Sequence, residues 1–432
     1  MRQVKHIVLD YPEIFKTQLL QWSSQFEEVV FLDSNQAQTG LNKSYSSYDA
    51  LVAVDAFTSL KTDFQALNAL EEYQKNTKDW LFGYFTYDLK NEIEPLKSDN
   101  FDGLHFPELY FFQPKKLFLI RGNSLEIQYL NFIADEMEDD LKAIHSQSVN
   151  KESVPSKISI QERVDKEKYI KKVQQMLTHI YRGDIYEANF CMEFYSEKAL
   201  INPIDVYQKL NALSRPPFAA YLNLDNHYLL SASPERYLKK MGTKVISQPI
   251  KGTAKRVLEK KEDKLLALEL QKNTKERSEN IMITDLVRND LSKTAEKNSV
   301  AVEELCGLYS FKQVHQLIST ISSQVSEEIS PVEIIKTTFP MGSMTGAPKT
   351  SAMNIIETLE ETRRGLYSGA IGYFTPDNDF DFSVVIRSIL YNSSNQYLSF
   401  SVGSAITANS NPEAEYEECL LKANAMFEVL TS

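Results

Sequence analysis

Residues 370–406, AIGYFTPDNDFDFSVVIRSILYNSSNQYLSFSVGSAI, decide the fold class. Three runs rich in β-branched and aromatic residues, 370–374, 382–390 and 397–406, follow one another with only a few polar residues between them. Such gaps are too short for a crossover helix, so these strands pair antiparallel rather than as a Rossmann-type parallel sheet. The same pattern recurs upstream. Runs 218–224 and 227–232 flank Asp225-Asn226, a turn-favouring dipeptide. Short β-type runs at 29–32, 51–54, 80–87, 109–112, 117–120 and 125–130 make residues 1–145 strand-rich, with a helical segment at 64–73. Helical patterns occupy 168–181, a long charged stretch 261–291, and 349–364, where Pro348 takes a first-turn position; Asn411-Pro412 opens a last helix to about residue 430. The polar stretch 146–166 is the linker candidate, dividing a strand-rich region, 1–150, from a second region, 151–432, intertwined with it. The expected class is α+β, with largely antiparallel sheets packed as a sandwich and helices outside. There is no GxGxxG, no GxxxxGK[ST] and no internal repeat.

The 432 residues suggest two or three domains or one large intertwined unit. A composition of 42% hydrophobic and 25% charged residues excludes a disordered or fibrous chain. With 47 Lys+Arg against 59 Asp+Glu, the net charge of −12 argues against bulk binding to nucleic acid or anionic membranes. It leaves room for a small anion in a locally cationic site. Cys191, Cys306 and Cys419 form no CxxC pair and no zinc-type cluster, which suits a reducing compartment. Charges interrupt the amino-terminal stretch, and no apolar run reaches the ~18 residues of a membrane span, so a cytoplasmic protein is expected.

Three features carry chemistry. Glu276 and Glu279, and separately Glu415 and Glu418, are spaced i, i+3 and share a helical face, and Lys422 returns to the face of Glu415. Spacing alone reads most simply as two solvated acidic faces. Brought together, the pairs would repel unless a cation lay between them, and oxygen-only donors favour Mg²⁺ over zinc. The segment 342–349, GSMTGAPK, is either an anion site at a helix N-terminus or a plain loop leading into that helix. Lys251, in PIKGT, precedes Gly252, which allows close backbone approach; alone it reads as a surface lysine.

Taken in order, GDIYEANF (183–190), SASPER (231–236), PIKGTAKR (249–256), SENIMITDLVRNDL (278–291), VHQLIS (314–319), GSMTGAPK (342–349), SGAIGYF (368–374), VVIRS (384–388) and GSAITANSNPEAEYEECLLKA (403–423) resemble the chorismate-utilising enzymes. That family includes anthranilate synthase large subunits, aminodeoxychorismate synthase component I, and isochorismate and salicylate synthases. The resemblance implies an anthranilate synthase component I-like fold. It implies that Glu279 and Glu418 bind Mg²⁺, with Glu276 and Glu415 supporting directly or through water. It implies that Gly252, Thr253 and Lys422 meet the ring carboxylate of chorismate at the metal end. Arg387 and Tyr367 would meet the enolpyruvyl carboxylate, as a guanidinium fork suits a carboxylate, while Thr345 and Gly346 line the pocket and Gly403 gives a backbone contact. Ala405 departs from the family's usual glycine beside that contact.

Lys251 discriminates within the family. Aminodeoxychorismate synthases typically carry Lys within PIKGT and anthranilate synthases Ala. The resemblance therefore implies amination of chorismate at ring carbon 4 through a covalent Lys251 intermediate, giving 4-amino-4-deoxychorismate for 4-aminobenzoate and folate. A nucleophilic lysine must be uncharged, so Lys251 is expected in a closed pocket, its pKa depressed by burial and Mg²⁺. Glu235 matches the general acid/base, and His315 the family's active-site histidine, here in a positioning role. Glu187 stands where isochorismate and salicylate synthases need a lysine, which disfavours water addition. Leu32 and Ser34 resemble the tryptophan-binding segment. No Gly-x-Cys-x-Gly elbow is present, and the resemblance runs close to Ser432, so ammonia is expected from a separate glutamine amidotransferase subunit. The alternatives are an anthranilate synthase component I and, of another class, a non-catalytic tryptophan- or amidotransferase-binding module.

Overall fold

The computed structural model describes residues 1–35, 45–148 and 158–431; part of the expected linker, 149–157, lies outside the described residues. Every ladder between strands among the described residues is antiparallel. One path of pairing runs from Arg2–Val8 through Ser124–Leu130, Leu109–Arg121, Ala50–Thr62, Glu28–Asp33, Phe218–Leu224, His227–Ser233, Ser388–Asn392 and Tyr397–Thr407 to Glu187–Ser196. A second leaves Leu109–Arg121 through Leu81–Phe85, Ala370–Phe374, Phe380–Val384, Arg236–Met241 and Lys244–Gln248 to Val314–Gln324, which also pairs with Ile250–Lys255 and Ala301–Ser310. Strands from both sides of the linker thus share each path.

Alternation along the strands explains the layering. Val29 and Phe31 join a core with Leu19 and Trp22 of the helix Pro12–Ser23, Val173 of Lys166–Arg182 and Met426 of Pro412–Thr431. Val30, between them, joins a second core with Leu222, Leu238, Val245 and Phe382 from both strand paths, closed by Ile283 and Val287 of the helix Thr274–Ser292. The result is the expected α+β sandwich with helices outside. No helix among the described residues is long and apolar enough to cross a membrane.

Two elements differ from the sequence reading, and both differences shape the site. The run 382–390 is not one strand. Phe380–Val384 lies in the second path and Ser388–Asn392 in the first, and the chain crosses between them at Arg387, whose φ is +50°. The stretch 261–291 is two helices, Lys260–Lys272 and Thr274–Ser292. Asn273 divides them, its side chain accepting from the amides of Lys275 and Glu276 as an N-cap. One boundary also shifts: the helix read at 349–364 spans Lys349–Leu359 with Pro348 just before it.

Candidate active site

A cleft of about 1060 Å³ opens between the helices Thr274–Ser292 and Pro412–Thr431 and the strand ends beneath them. Lys251, Gly252, Thr253, Glu235, Tyr367, Arg387, Gly403, Lys422, Glu276, Glu279, Glu415 and Glu418 all line it. The two acidic pairs, 139 positions apart from Glu276 to Glu415, therefore face one space, and the simple reading of two solvated faces is set aside.

Each side chain is aimed by local structure. The strand Ile250–Lys255 carries Lys251 to the cleft floor, where its Nζ donates to Glu187 Oε1 at 2.9 Å. Glu187 is 1% exposed, and its second oxygen, Oε2, is buried with no hydrogen-bond partner among the described residues. Gly252 follows at φ +92°; a Cβ there would meet Glu276 Cβ at 3.2 Å, so glycine lets the acidic helix lie against the strand. Asn280, next to Glu279, donates to the carbonyls of Lys251 and Leu317 at 3.2 and 3.0 Å and ties that helix down. Lys422 Nζ donates to Gly403 O at 2.8 Å and pairs with Glu418 at 2.7 Å. Lys275, 47% exposed, stands 3.8 Å from Glu279 and 3.9 Å from Glu415. The Arg387 guanidinium lines the cleft and makes no hydrogen bond to the described residues.

The electrostatics separate the carboxylates by role. Burial pushes Glu235 up to about 7, although the Ser343 hydroxyl, donating at 2.6 Å, and the charges of Lys251 and Arg387 favour its ion. Burial also lifts Glu279 to about 7 against the pull of Lys251, and lifts Glu276, where Glu418 adds repulsion. Glu418 moves the other way: burial would raise it, but Lys422, with Lys251 and Lys275, outweighs burial. Lys251 departs from expectation. Burial lowers it, yet Glu187, Glu279 and Glu235 together outweigh burial and raise its pKa. In this arrangement Lys251 is half of an ion pair with Glu187, at 2.9 Å.

Three residues expected in the site stand behind it. His315 Nδ1 bonds Ser310 Oγ at 2.7 Å and Nε2 bonds Asp263 Oδ1 at 3.1 Å, so both ring nitrogens are occupied; Asp263 reaches the cleft instead. Thr345 is fully buried, its hydroxyl directed to Met341 O and Gly342 O, and Gly346 pairs with Ala188; Ser343 and Met344 are the members of that loop at the cleft. Pro348 lacks an N–H, and Lys349 is held by Asp290 and Thr338 O, so the loop is no anion cradle. Leu32 and Ser34 line a separate cavity of about 90 Å³ with Phe218, Arg236 and Tyr373, where the Ser34 hydroxyl is buried without a partner among the described residues. Arg364, unremarkable in the sequence, is buried; it pairs with Glu360 at 2.7 Å and donates to Asn189 O and Met344 O, locking two walls of the cleft.

The donors suit a hard divalent cation. All are carboxylate oxygens, and Glu279 Oε1 is buried with no hydrogen-bond partner among the described residues. Among those residues no three His, Cys, Asp or Glu side chains converge as a complete cage. Mg²⁺ ordinarily takes one or two carboxylates and completes its shell with water and substrate, so the set fits.

Comparison with known proteins places the chain in a family and matches its fold. The chain is 38% identical over 305 residues to the chloroplastic aminodeoxychorismate synthase of Arabidopsis thaliana, covering 69% of this chain and 32% of that protein. It spans about a third of the length of such plant relatives. It is 32% identical over 359 residues to aminodeoxychorismate synthase component 1 of Bacillus subtilis, covering 80% of this chain and 75% of that one. It is equally 32% identical over 356 residues to anthranilate synthase component 1 of Thermus thermophilus, covering 81% and 76%. In fold it matches the crystal structure of anthranilate synthase component I from Streptococcus pneumoniae with a TM-score of 0.79 at 23% identity, over 90% of this chain and 94% of that one. The sequence profile of the chorismate binding enzyme family matches residues 23–428, and the chain belongs to that family.

Proposed function

We propose that this chain aminates chorismate at ring carbon 4, giving 4-amino-4-deoxychorismate for 4-aminobenzoate and folate synthesis, with ammonia delivered by a glutamine amidotransferase subunit. The observation that carries this reading is Lys251, whose side chain, 11% exposed, lines the cleft with Glu235 and the acidic helices. Identity is 32% both to the Bacillus subtilis aminodeoxychorismate synthase component 1 and to the Thermus thermophilus anthranilate synthase component 1, so full-length similarity to those two does not separate the readings and Lys251 is the discriminating residue.

Chorismate is a dianion. Arg387, with no competing hydrogen bond among the described residues, takes the enolpyruvyl carboxylate beside Tyr367. Lys422, Gly252 and Thr253 face the ring carboxylate. Glu279 and Glu418 would hold Mg²⁺, with Glu276 and Glu415 supporting; when bound, it would supply positive charge that offsets the glutamates beside an anionic substrate. The Lys251 amine attacks carbon 2, both ring double bonds shift, and the carbon 4–oxygen bond breaks. Glu235, with a carboxyl pKa near 7, donates the proton that lets hydroxide leave as water. Ammonia then attacks carbon 4, the double bonds return, and the carbon 2–nitrogen bond breaks to regenerate Lys251. His315 holds Asp263 and touches no reacting atom. Tryptophan is the ligand we propose for the smaller cavity, supported by the unpartnered Ser34 hydroxyl and tested by calorimetric titration.

The deciding experiment supplies chorismate, ammonium and Mg²⁺ without a partner. The expected product keeps its pyruvyl group, and Lys251→Ala abolishes it along with a covalent adduct mapped by peptide mass. Anthranilate as product points to the anthranilate synthase reading; no turnover from the unaltered chain points to a binding module.

A further inference from the structure

The amine that must attack is held as an ammonium, so its proton needs a destination. Glu187 Oε1, 2.9 Å from Lys251 Nζ, is the one carboxylate within hydrogen-bond reach among the described residues. Glu279 and Glu235 also face Lys251 electrostatically, but neither bonds it. Glu187 sits on the strand Glu187–Ser196, its side chain 1% exposed against 11% for Lys251, so bulk water does not compete for the proton. Its Oε2 has no hydrogen-bond partner among the described residues, an unusual state for a buried oxygen. A carboxylic acid needs fewer partners there than a carboxylate.

We propose that Glu187 is a positioning residue that aims Lys251 and takes its proton, so that the pair passes from ammonium–carboxylate to amine–carboxylic acid as the carbon–nitrogen bond forms. This rests on the reading of Lys251 as nucleophile. The proton moves from Nζ to Glu187; the freed lone pair bonds carbon 2; hydroxide leaves carbon 4 with the Glu235 proton. After ammonia expels Lys251, the amine recovers a proton and the pair re-forms.

The test is Glu187→Gln, which keeps shape and removes the acceptor, beside Glu187→Asp, which keeps an acceptor on a shorter arm. Adduct formation at Lys251 is followed by peptide mass, chorismate binding by calorimetry, and accessibility of Lys251 by arylation with 1-fluoro-2,4-dinitrobenzene across pH. The expected result is an about 10²-fold slower adduct in E187Q, chorismate affinity within about threefold of the unaltered chain, partial recovery in E187D, and an arylation midpoint in E187Q that moves down as an acidic neighbour is lost. Equal or faster adduct formation in E187Q overturns the proposal, since Glu187 would then only keep the amine charged. An arylation midpoint that does not move in E187Q also overturns it, because Glu187 would then not be the group that faces the amine. Absence of any adduct in the unaltered chain sinks the nucleophile reading itself, separately from the role of Glu187.

Discussion

Asn280 donates to the main-chain carbonyl of Lys251 at 3.2 Å, so the residue beside a proposed metal ligand holds the strand that bears the proposed nucleophile. The same amide reaches Leu317 O, and its oxygen accepts from the Ser319 hydroxyl, leaving the side chain fully engaged. Asn280→Ala removes both of these donations and should cost about 1–3 kcal/mol in chemical denaturation. It should also slow adduct formation at Lys251 more than it weakens Mg²⁺ binding.

Glu279→Ala or Glu418→Ala should remove Mg²⁺-dependent turnover. Rates measured across Mg²⁺ concentration check this, and full activity in either variant sinks the metal assignment. Glu279→Gln separates charge from packing: with burial holding that carboxyl near 7, the amide should be tolerated by the fold while the metal response disappears.

Glu235 makes a pH prediction with a definite sign. Its folded pKa, about 7, lies above the ordinary glutamate value of 4.5, so its protonated form belongs to the folded state. The associated stability is present below pH ~4.5 and is lost as pH rises toward 7, on the order of 3 kcal/mol in all. Glu235→Gln should flatten that part of the stability curve. Turnover that uses the Glu235 proton should fall above pH ~7, and the alkaline limb should vanish in the variant along with most of the rate.

Arg387 combines a place in the lining of the cleft with a left-handed backbone, φ +50°. Arg387→Gly and Arg387→Ala should both lose chorismate affinity in calorimetry. They should differ in stability, the glycine variant being about 1 kcal/mol the more stable because it adopts that conformation without a Cβ clash. Equal stabilities would mean that the backbone there is unstrained.

Arg364→Met leaves Glu360 buried without its cation and should cost about 3–5 kcal/mol. Glu360 also accepts from the Cys191 amide, so the damage reaches the wall under Tyr367. Thermal melting of the single variant against Arg364→Met/Glu360→Leu checks this, with the double variant expected to recover much of the loss.

What could be read in the chain and what could not follows from how far apart the partners lie. The antiparallel class was legible in 370–406 because short gaps forbid crossovers, and the acidic pairs were legible because i, i+3 spacing is local. That they face one another depends on two helices meeting, which came from ordered motifs rather than spacing. The break at Asn273 was missed because a charged helical pattern runs across it, though an Asn followed by Glu276 is itself a capping signal. The crossing at Arg387 was missed because β-type residues continue on both sides. The Lys251–Glu187 pair left no local trace, being 64 positions apart, and so the amine was expected uncharged when its neighbours keep it charged. His315, Thr345 and Gly346 were placed at the cleft by motif, but sequence motifs do not distinguish a wall from the layer behind it.

The pairing of Leu81–Phe85 with Ala370–Phe374, and of Glu28–Asp33 with Phe218–Leu224, makes each part of the chain a template for the other. Residues 1–145 expressed alone would present bare edges where those partners belong, a hazard for aggregation. Supplied in trans, the two portions should zip together and restore the enzyme, as a garment does when both halves of its fastener are present.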